Sequence, residues 1–137
     1  TAAIDYLASL GSGATRRSRL EDAFARIRLH EDALATRFLS GLAEMPAITL
    51  YGPNSIGDHR VSTFAIDVQG IHSRDVAAAL GEQGIYVWDG DYYAIGVMEQ
   101  LGLSETGGLV RVGFVHYTSP EEVDRLLSAL EALAPTS

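Results

Sequence analysis

The chain has 137 residues, 47% of them hydrophobic, with a net charge of −8 and no cysteine. This length allows one hydrophobic core, the acidic balance argues against nucleic-acid binding, and the missing cysteines exclude disulfides within the chain. The longest apolar runs are far below the ~20 residues that cross a bilayer, and no charged-then-apolar leader precedes Thr1. We therefore expect a soluble, cytoplasmic protein with no membrane or nucleic-acid partner.

The first half of the chain is predicted to be mainly helical. Residues 1–10 are predicted to be the end of a helix, and the Gly-Ser-Gly turn after them ends it. A long helix then begins at Ser18, which has capping-box spacing to Glu21, and Pro46 ends it. Its apolar stripe comprises Leu20, Phe24, Ile27, Leu34, Phe38 and Leu42. The abrupt opening and the lack of Met at position 1 suit a fragment of a longer protein.

The second half alternates short strands with helices. Strands are predicted at residues 48–51, 61–68, 85–88 and 109–115, and helices at 73–83 and 92–101. Gly84 is expected to cap the first of these helices. A final helix begins with Ser119 at the N-cap, Pro120 and Glu122. The pattern predicts an α+β fold: a small, mostly antiparallel sheet of three to four strands, covered on one face by helices and preceded by a long helix.

Arg111 is the residue that strand alternation singles out. Val110, Val112 and Phe114 share one face of the last strand, so Arg111 and Gly113 point to the other. Gly113 has no side chain to crowd a ligand, and a guanidinium can bind a carboxylate with two parallel hydrogen bonds. The alternative is an internal ion pair between Arg111 and an acidic residue of the same domain.

Residues 88–93, termed here the aromatic loop, join a predicted strand to a predicted helix. Trp88, Asp89, Tyr92 and Tyr93 could line a ligand pocket. The alternative is that these large side chains fill the seam between sheet and helix. His116, at the end of the last strand, is a further pocket candidate that can equally be structural.

No metal site is expected. The four histidines, His30, His59, His72 and His116, lack the close spacing of zinc motifs. Asp89 and Asp91 suggest calcium, but an EF-hand loop counted from Asp89 requires Gly and Glu where the chain has Ala94 and Gln100.

Two segments carry a resemblance to a known family. Residues 84–94 (GIYVWDGDYYA) and 109–126 (LVRVGFVHYTSPEEVDRL) resemble the C-terminal domain of cysteine desulfurase-like, class V aminotransferase proteins. The likeness extends to residues 2–7 and 50–52, so it covers nearly the whole chain. The arginine-bearing strand and the helix after it are fairly specific, whereas the helical parts are generic.

The resemblance implies the small domain of a fold type I enzyme that uses pyridoxal phosphate. In such proteins the arginine of this strand binds the substrate α-carboxylate, a role that falls on Arg111. The cofactor is bound mainly by a large N-terminal domain, through a lysine, and the active sites lie at a homodimer interface. The ten basic residues here are all arginine, so no lysine is present. Residues 1–17 are accordingly expected to link to a missing large domain, and residues 18–137 to form the small domain.

Two departures from the family pattern bear on the reaction. Desulfurases carry a nucleophilic Cys in the loop after the Gly-Ile-x-Val strand, and Tyr93 stands at or next to that position. A phenol, with a reference pKa of ~10, cannot replace a thiolate as a persulfide carrier. Trp88 stands where many members have Arg. The resemblance thus implies a desulfurase-like transferase or lyase acting on an amino-acid-like substrate, with no catalytic residue in this chain and no activity in the chain alone.

Two other classes of function stay open at this point. The chain could be a freestanding α+β module that binds a small acid, or an oligomerisation domain. The gene sequence upstream of Thr1 would distinguish these from the enzyme domain.

Overall fold

The structure is a computed structural model that describes residues 1–57 and 60–134; His59 lies outside the described residues. Helices and strands alternate along most of the chain. In order they are α1 (Ala2–Ser9), α2 (Arg16–Ala43), β1 (Ile48–Tyr51), β2 (Thr63–Val68), α3 (Ser73–Glu82), β3 (Trp88–Gly90), α4 (Ile95–Leu101), β4 (Leu109–Gly113) and α5 (Pro120–Leu133). No helix in this part of the chain combines the length and apolarity needed to span a membrane.

The four strands form one antiparallel sheet in the order β1-β2-β4-β3. Strand β4 is therefore internal, with β2 on one side and the short edge strand β3 on the other. The predicted α+β class and antiparallel sheet are confirmed.

The main core lies between one face of the sheet and helices α2, α3 and α5. Phe64 and Phe114 from the sheet side meet Phe38 of α2 edge-on, at ring distances of 4.8 and 5.2 Å, an arrangement that aromatic rings favour. Val76 and Leu80 of α3 are fully buried, as predicted. The predicted stripe of α2 is confirmed in its second half, while Phe24 is exposed.

A second, smaller cluster lies on the opposite face of the sheet. Met98 of α4 packs there with Leu103 and Leu109. Helix α4 therefore covers part of the face that the sequence predicted to be open, and none of the other described elements covers the rest of that face.

Helix α2 begins earlier than predicted. Thr15, not Ser18, is its N-cap: the Thr15 side chain accepts from the Ser18 backbone N–H, and the Ser18 hydroxyl accepts from the Thr15 N–H. This reciprocal pair satisfies two backbone donors at the helix start, and Ser18 occupies the N3 position of the capping box. The capping box of Ser119 and Glu122 at α5 is confirmed.

Other predicted boundaries are wrong by a few residues. Strand β3 spans Trp88–Gly90 and not residues 85–88, because Ile85 and Val87 pack against the main core while the pairing with β4 begins at Trp88. Strands β2 and β4 are each two residues shorter than predicted.

Helix α1 packs against α2 at a close corner. Ala8 and Ala23 are buried, and Asp22 accepts from the Ser12 backbone N–H at 2.7 Å. A Cβ on Gly11 would lie 2.0 Å from the carbonyl oxygen of Arg19, so this approach requires glycine. The proposed division of the chain at residue 17 stays a prediction.

Candidate functional site

Arg111 lies at the centre of the uncovered sheet face. It is opposite Ala65 of β2 and Trp88 of β3 in the strand register. Its neighbours Val110 and Val112 are buried on the core side, whereas Arg111 is exposed. The predicted alternation along β4 is therefore confirmed, and the guanidinium is accessible in this chain.

Two aromatic rings flank the Arg111 guanidinium. Its Cζ atom lies 5.9 Å from the centre of the Trp88 ring and 5.4 Å from that of Tyr92, within cation–π range. Among residues 1–57 and 60–134, Arg111 forms no salt bridge. The internal ion pair considered from the sequence is thus not found in the described part of the chain, and the cation is held by rings that leave its charge uncompensated.

Tyr92 anchors the aromatic loop to the sheet. Its hydroxyl donates to the carbonyl oxygen of Leu109, and lies 3.3 Å from that of Trp88. The ring also packs on the Met98 cluster, so Tyr92 fills the seam between sheet and helix as well as contacting Arg111. Burial raises the pKa of the Tyr92 phenol well above its usual value, against an opposing effect of Arg111. The phenol therefore stays protonated and able to donate.

Tyr92 and Tyr93 both adopt left-handed backbone conformations, with φ of 54° and 64°. Such conformations are unfavourable for residues other than glycine. The Tyr93 N–H donates to Asp91 Oδ1 at 2.9 Å, which supports the turn locally. Helix α4 consequently begins at Ile95 and not at residue 92, and the Tyr93 side chain projects fully into solvent.

Two concave surfaces meet at Trp88. One, of about 460 Å³, surrounds Arg111 and is lined by Thr63, Tyr86, Val87, Trp88, Arg111 and Gly113. The other, of about 620 Å³, contains the predicted Trp88, Asp89, Tyr92 and Tyr93. The structure thus brings together five of the six predicted site residues around the aromatic loop.

His116 lies in a different environment. Its Nε2 is 2.9 Å from the Tyr6 hydroxyl of α1, and its ring contacts those of Tyr6 and Tyr117. This places His116 beside helix α1 and outside both concave surfaces.

Sequence reasoning missed several lining residues. Tyr86 borders the Arg111 surface, and Arg74 and Ser104 border the larger cavity. Tyr86 alternates with Trp88 in the extended segment before β3, a signal that could have identified it; Arg74, in the first turn of α3, offers no such signal. Within the described ranges, no group of three His, Cys, Asp or Glu side chains could hold a metal ion.

The fold agrees with comparisons to known proteins. The family model of the class-V aminotransferases matches residues 2–126. The chain belongs to this family.

Its relatives include several cysteine desulfurases. The cysteine desulfurase of Haloferax volcanii is 30% identical over 131 residues, which cover 96% of this chain and 27% of that protein. The aminotransferase-like protein FGM3 of Gibberella zeae is 40% identical over 106 residues, covering 74% of this chain and 26% of that protein. Among solved structures, the apo cysteine desulfurase of Thermococcus onnurineus is 34% identical with a TM-score of 0.75, over 87% of this chain and 28% of that one. The chain thus spans about a quarter of the length of these proteins.

The family implies pyridoxal phosphate in the full-length protein. The residues of this chain do not fit covalent binding of that cofactor, because none of them is lysine. The uncompensated Arg111 guanidinium instead suits an anionic group of a substrate.

Proposed function

We propose that this chain is the small C-terminal domain of a pyridoxal-phosphate enzyme, in which Arg111 binds the carboxylate of an amino-acid-like substrate. The cofactor and its lysine belong to a preceding large domain, so the chain alone is inactive. The observation that carries the proposal is the Arg111 guanidinium, exposed on an uncovered sheet face and free of any salt bridge in the described residues.

The geometry around Arg111 suits this role. Strand β4 is paired on both sides, so the backbone that carries Arg111 is fixed. The Trp88 and Tyr92 rings flank the guanidinium, and a planar guanidinium that is oriented before binding loses less entropy when it binds a carboxylate. The contribution of this chain is therefore to bind and orient the substrate, while pyridoxal phosphate, when bound, supplies the electron sink.

We propose further that the reaction is not an ordinary cysteine desulfuration. The aromatic loop ends in Tyr92 and Tyr93, and the chain contains no cysteine to accept sulfur. A relative named an aminotransferase-like protein matches at 40% identity, against 30% for the Haloferax volcanii cysteine desulfurase. These observations favour a transferase or lyase of the same family.

Replacing Arg111 in the full-length protein tests the carboxylate-binding role. Arg111→Ala should weaken the apparent affinity for amino acids by about 2–3 kcal/mol, as expected for a charge-assisted bidentate contact. Arg111→Lys should recover only part of the lost binding free energy, since an ammonium group cannot form the two parallel hydrogen bonds that a guanidinium forms with a carboxylate. Affinity is measured by titrating each variant with amino acids and following the cofactor absorption spectrum.

Arg17→Ala provides the matched control. Arg17 is an exposed arginine on α2 that pairs with Glu21 one helical turn away, a contact of small energetic value. If Arg111→Ala binds amino acids as tightly as the Arg17→Ala control and the wild type do, the proposed role of Arg111 is wrong.

The quaternary structure and location follow from the same proposal. We propose a cytoplasmic homodimer for the full-length protein, as the family resemblance implies. Sedimentation of the full-length protein at several concentrations checks this, and a monomer throughout would contradict it.

A further inference from the structure

Among the described residues, one charged side chain lines the concave surface around Arg111. Its other lining residues are Thr63, Tyr86, Val87, Trp88 and Gly113, which are uncharged at neutral pH. One carboxylate can therefore be neutralised here by Arg111. Within this lining a second carboxylate would find no cation, and a cationic group would meet Arg111 with no acid to offset the repulsion. Arg74 and Asp89 lie in the lining of the adjoining larger cavity.

Aromatic surface dominates the walls of this concavity. Tyr86 is 89% exposed and Trp88 is 62% exposed. Covering such rings removes apolar area from water, which is favourable in proportion to the area covered. An apolar or aromatic group next to the bound carboxylate gains this contribution, whereas a charged group would lose its own hydration.

Gly113 leaves the floor of the concavity open. A Cβ built on Gly113 would meet only Ser62 O and Thr63 Oγ1, both at 3.9 Å, which is ordinary van der Waals contact. The backbone therefore tolerates a side chain at this position, and the effect of glycine is to leave space beside Arg111 for a ligand.

We propose that the Arg111 site selects amino acids with a single carboxylate and an apolar or aromatic side chain, and that Trp88 determines this specificity. The proposal rests on the carboxylate-binding function proposed above and adds the substrate class. Trp88 lies opposite Arg111 in the strand register, with its ring 5.9 Å from the Arg111 Cζ atom, so a group next to the bound carboxylate can pack on the Trp88 ring.

The test compares four probes, phenylalanine, leucine, aspartate and arginine, with the full-length protein. Dissociation constants are measured by titration calorimetry, so the result does not depend on turnover. Phenylalanine and leucine should bind about tenfold more tightly than aspartate or arginine, the discrimination expected from one pocket contact. Trp88→Arg should reverse the preference between phenylalanine and aspartate, and Trp88→Phe should retain it.

Leu29→Arg is the control for added positive charge. Leu29 is 73% exposed on α2, so this variant introduces the same group outside the site and should leave all four constants unchanged.

Two results separate this proposal from the function on which it rests. If Arg111→Ala weakens all four probes, but aspartate binds as tightly as phenylalanine or Trp88→Arg leaves their ratio unchanged, the substrate class is wrong and the carboxylate role stands. If Arg111→Ala weakens none of the probes, both proposals fail.

Discussion

The Tyr92 hydroxyl joins the aromatic loop to strand β4. It donates to the Leu109 carbonyl within the sheet, and its ring contacts Arg111. One side chain thus couples the conformation of the loop to the orientation of the guanidinium. Loss of the hydroxyl should affect stability, while loss of the ring should also affect Arg111.

Tyr92→Phe should lower the free energy of unfolding by about 1 kcal/mol, because it removes one hydrogen bond to a part-buried carbonyl. Urea unfolding followed by circular dichroism measures this. Tyr93→Phe is the control, since the Tyr93 side chain is fully exposed. Equal decreases in the free energy of unfolding of the two variants would show that the Tyr92 hydrogen bond does not stabilise the fold.

The effect of Tyr92→Phe on stability should depend on pH. Burial raises the pKa of Tyr92 in the folded chain, so its stabilising effect is complete below the unfolded value of about 10 and is lost as the pH rises above it. The stability difference between the wild type and Tyr92→Phe should therefore narrow above about pH 10. A difference that is constant through this range would refute the raised pKa.

Tyr93 tests the strain in the loop. Tyr93→Gly should raise the free energy of unfolding by about 0.5–1 kcal/mol relative to Tyr93→Ala, because glycine adopts positive φ without steric cost. Both variants remove the exposed ring, so thermal unfolding of the pair isolates the backbone effect. Equal stabilities would argue against a left-handed Tyr93.

Strand alternation was sufficient to predict which way Arg111 points, because the period of two leaves one choice once Val110 and Val112 are buried. The contacts of the guanidinium were not predictable. They depend on two consecutive left-handed tyrosines, a conformation that residue preferences disfavour, and on the register of β3 against β4. Asp91, placed to accept from the Tyr93 N–H, is the one local signal of that turn.

At the scale of elements, the corner between α1 and α2 depends on Gly11. The two helices approach so closely that a methyl group there would overlap backbone atoms of Arg19 and Ala23. Asp22 and the ion pair of Arg16 with Asp5 hold the same corner from the surface. The packing of α1 against α2 therefore depends on the absence of a side chain at Gly11.

Gly11→Ala should release α1 from α2 and leave the sheet intact, because the added methyl group would lie 2.0 Å from Arg19 O and 2.6 Å from Ala23 N. Hydrogen exchange should become faster in α1 and stay unchanged in α5. Gly81→Ala in α3 is the control, since its Cβ would meet no atom within 4 Å. Unchanged exchange in α1 would show that the corner adapts.

Caps and periodicity predicted which elements form, but predicted their ends less well. At α5, Ser119, Pro120 and Glu122 combine three start signals, and the observed start agrees. At α2, Thr15 and Ser18 form a box of the same kind three residues earlier than the predicted one. Local sequence does not decide between two adjacent boxes, since that choice depends on how α1 packs.

At the scale of the whole molecule, this chain is about a quarter of the length of its relatives and has no lysine. Mixing the chain with pyridoxal phosphate, followed by borohydride reduction, should attach no cofactor to a side chain, because side-chain attachment requires a lysine amine. Mass spectrometry after proteolysis measures this, with any label expected only at the amino terminus of Thr1. A labelled internal peptide would contradict the expectation.

The family resemblance predicted the fold and the family, because the arginine-bearing strand and the helix after it are fairly specific. The substrate was beyond sequence reasoning. Under the proposed function it depends on which side chains surround Arg111, and Thr63 reaches that surface only through the pairing of β2 with β4.

Helix α2 extends well beyond the core to which it is attached. Its 28 residues span about 42 Å, yet Leu34, Phe38 and Leu42, its large buried side chains, all lie in the second half. The first half carries α1, whose Tyr6 hydroxyl lies 2.9 Å from His116 Nε2 in the segment that follows β4. The amino-terminal corner is therefore joined to the end of the Arg111 strand by this contact, as well as through α2.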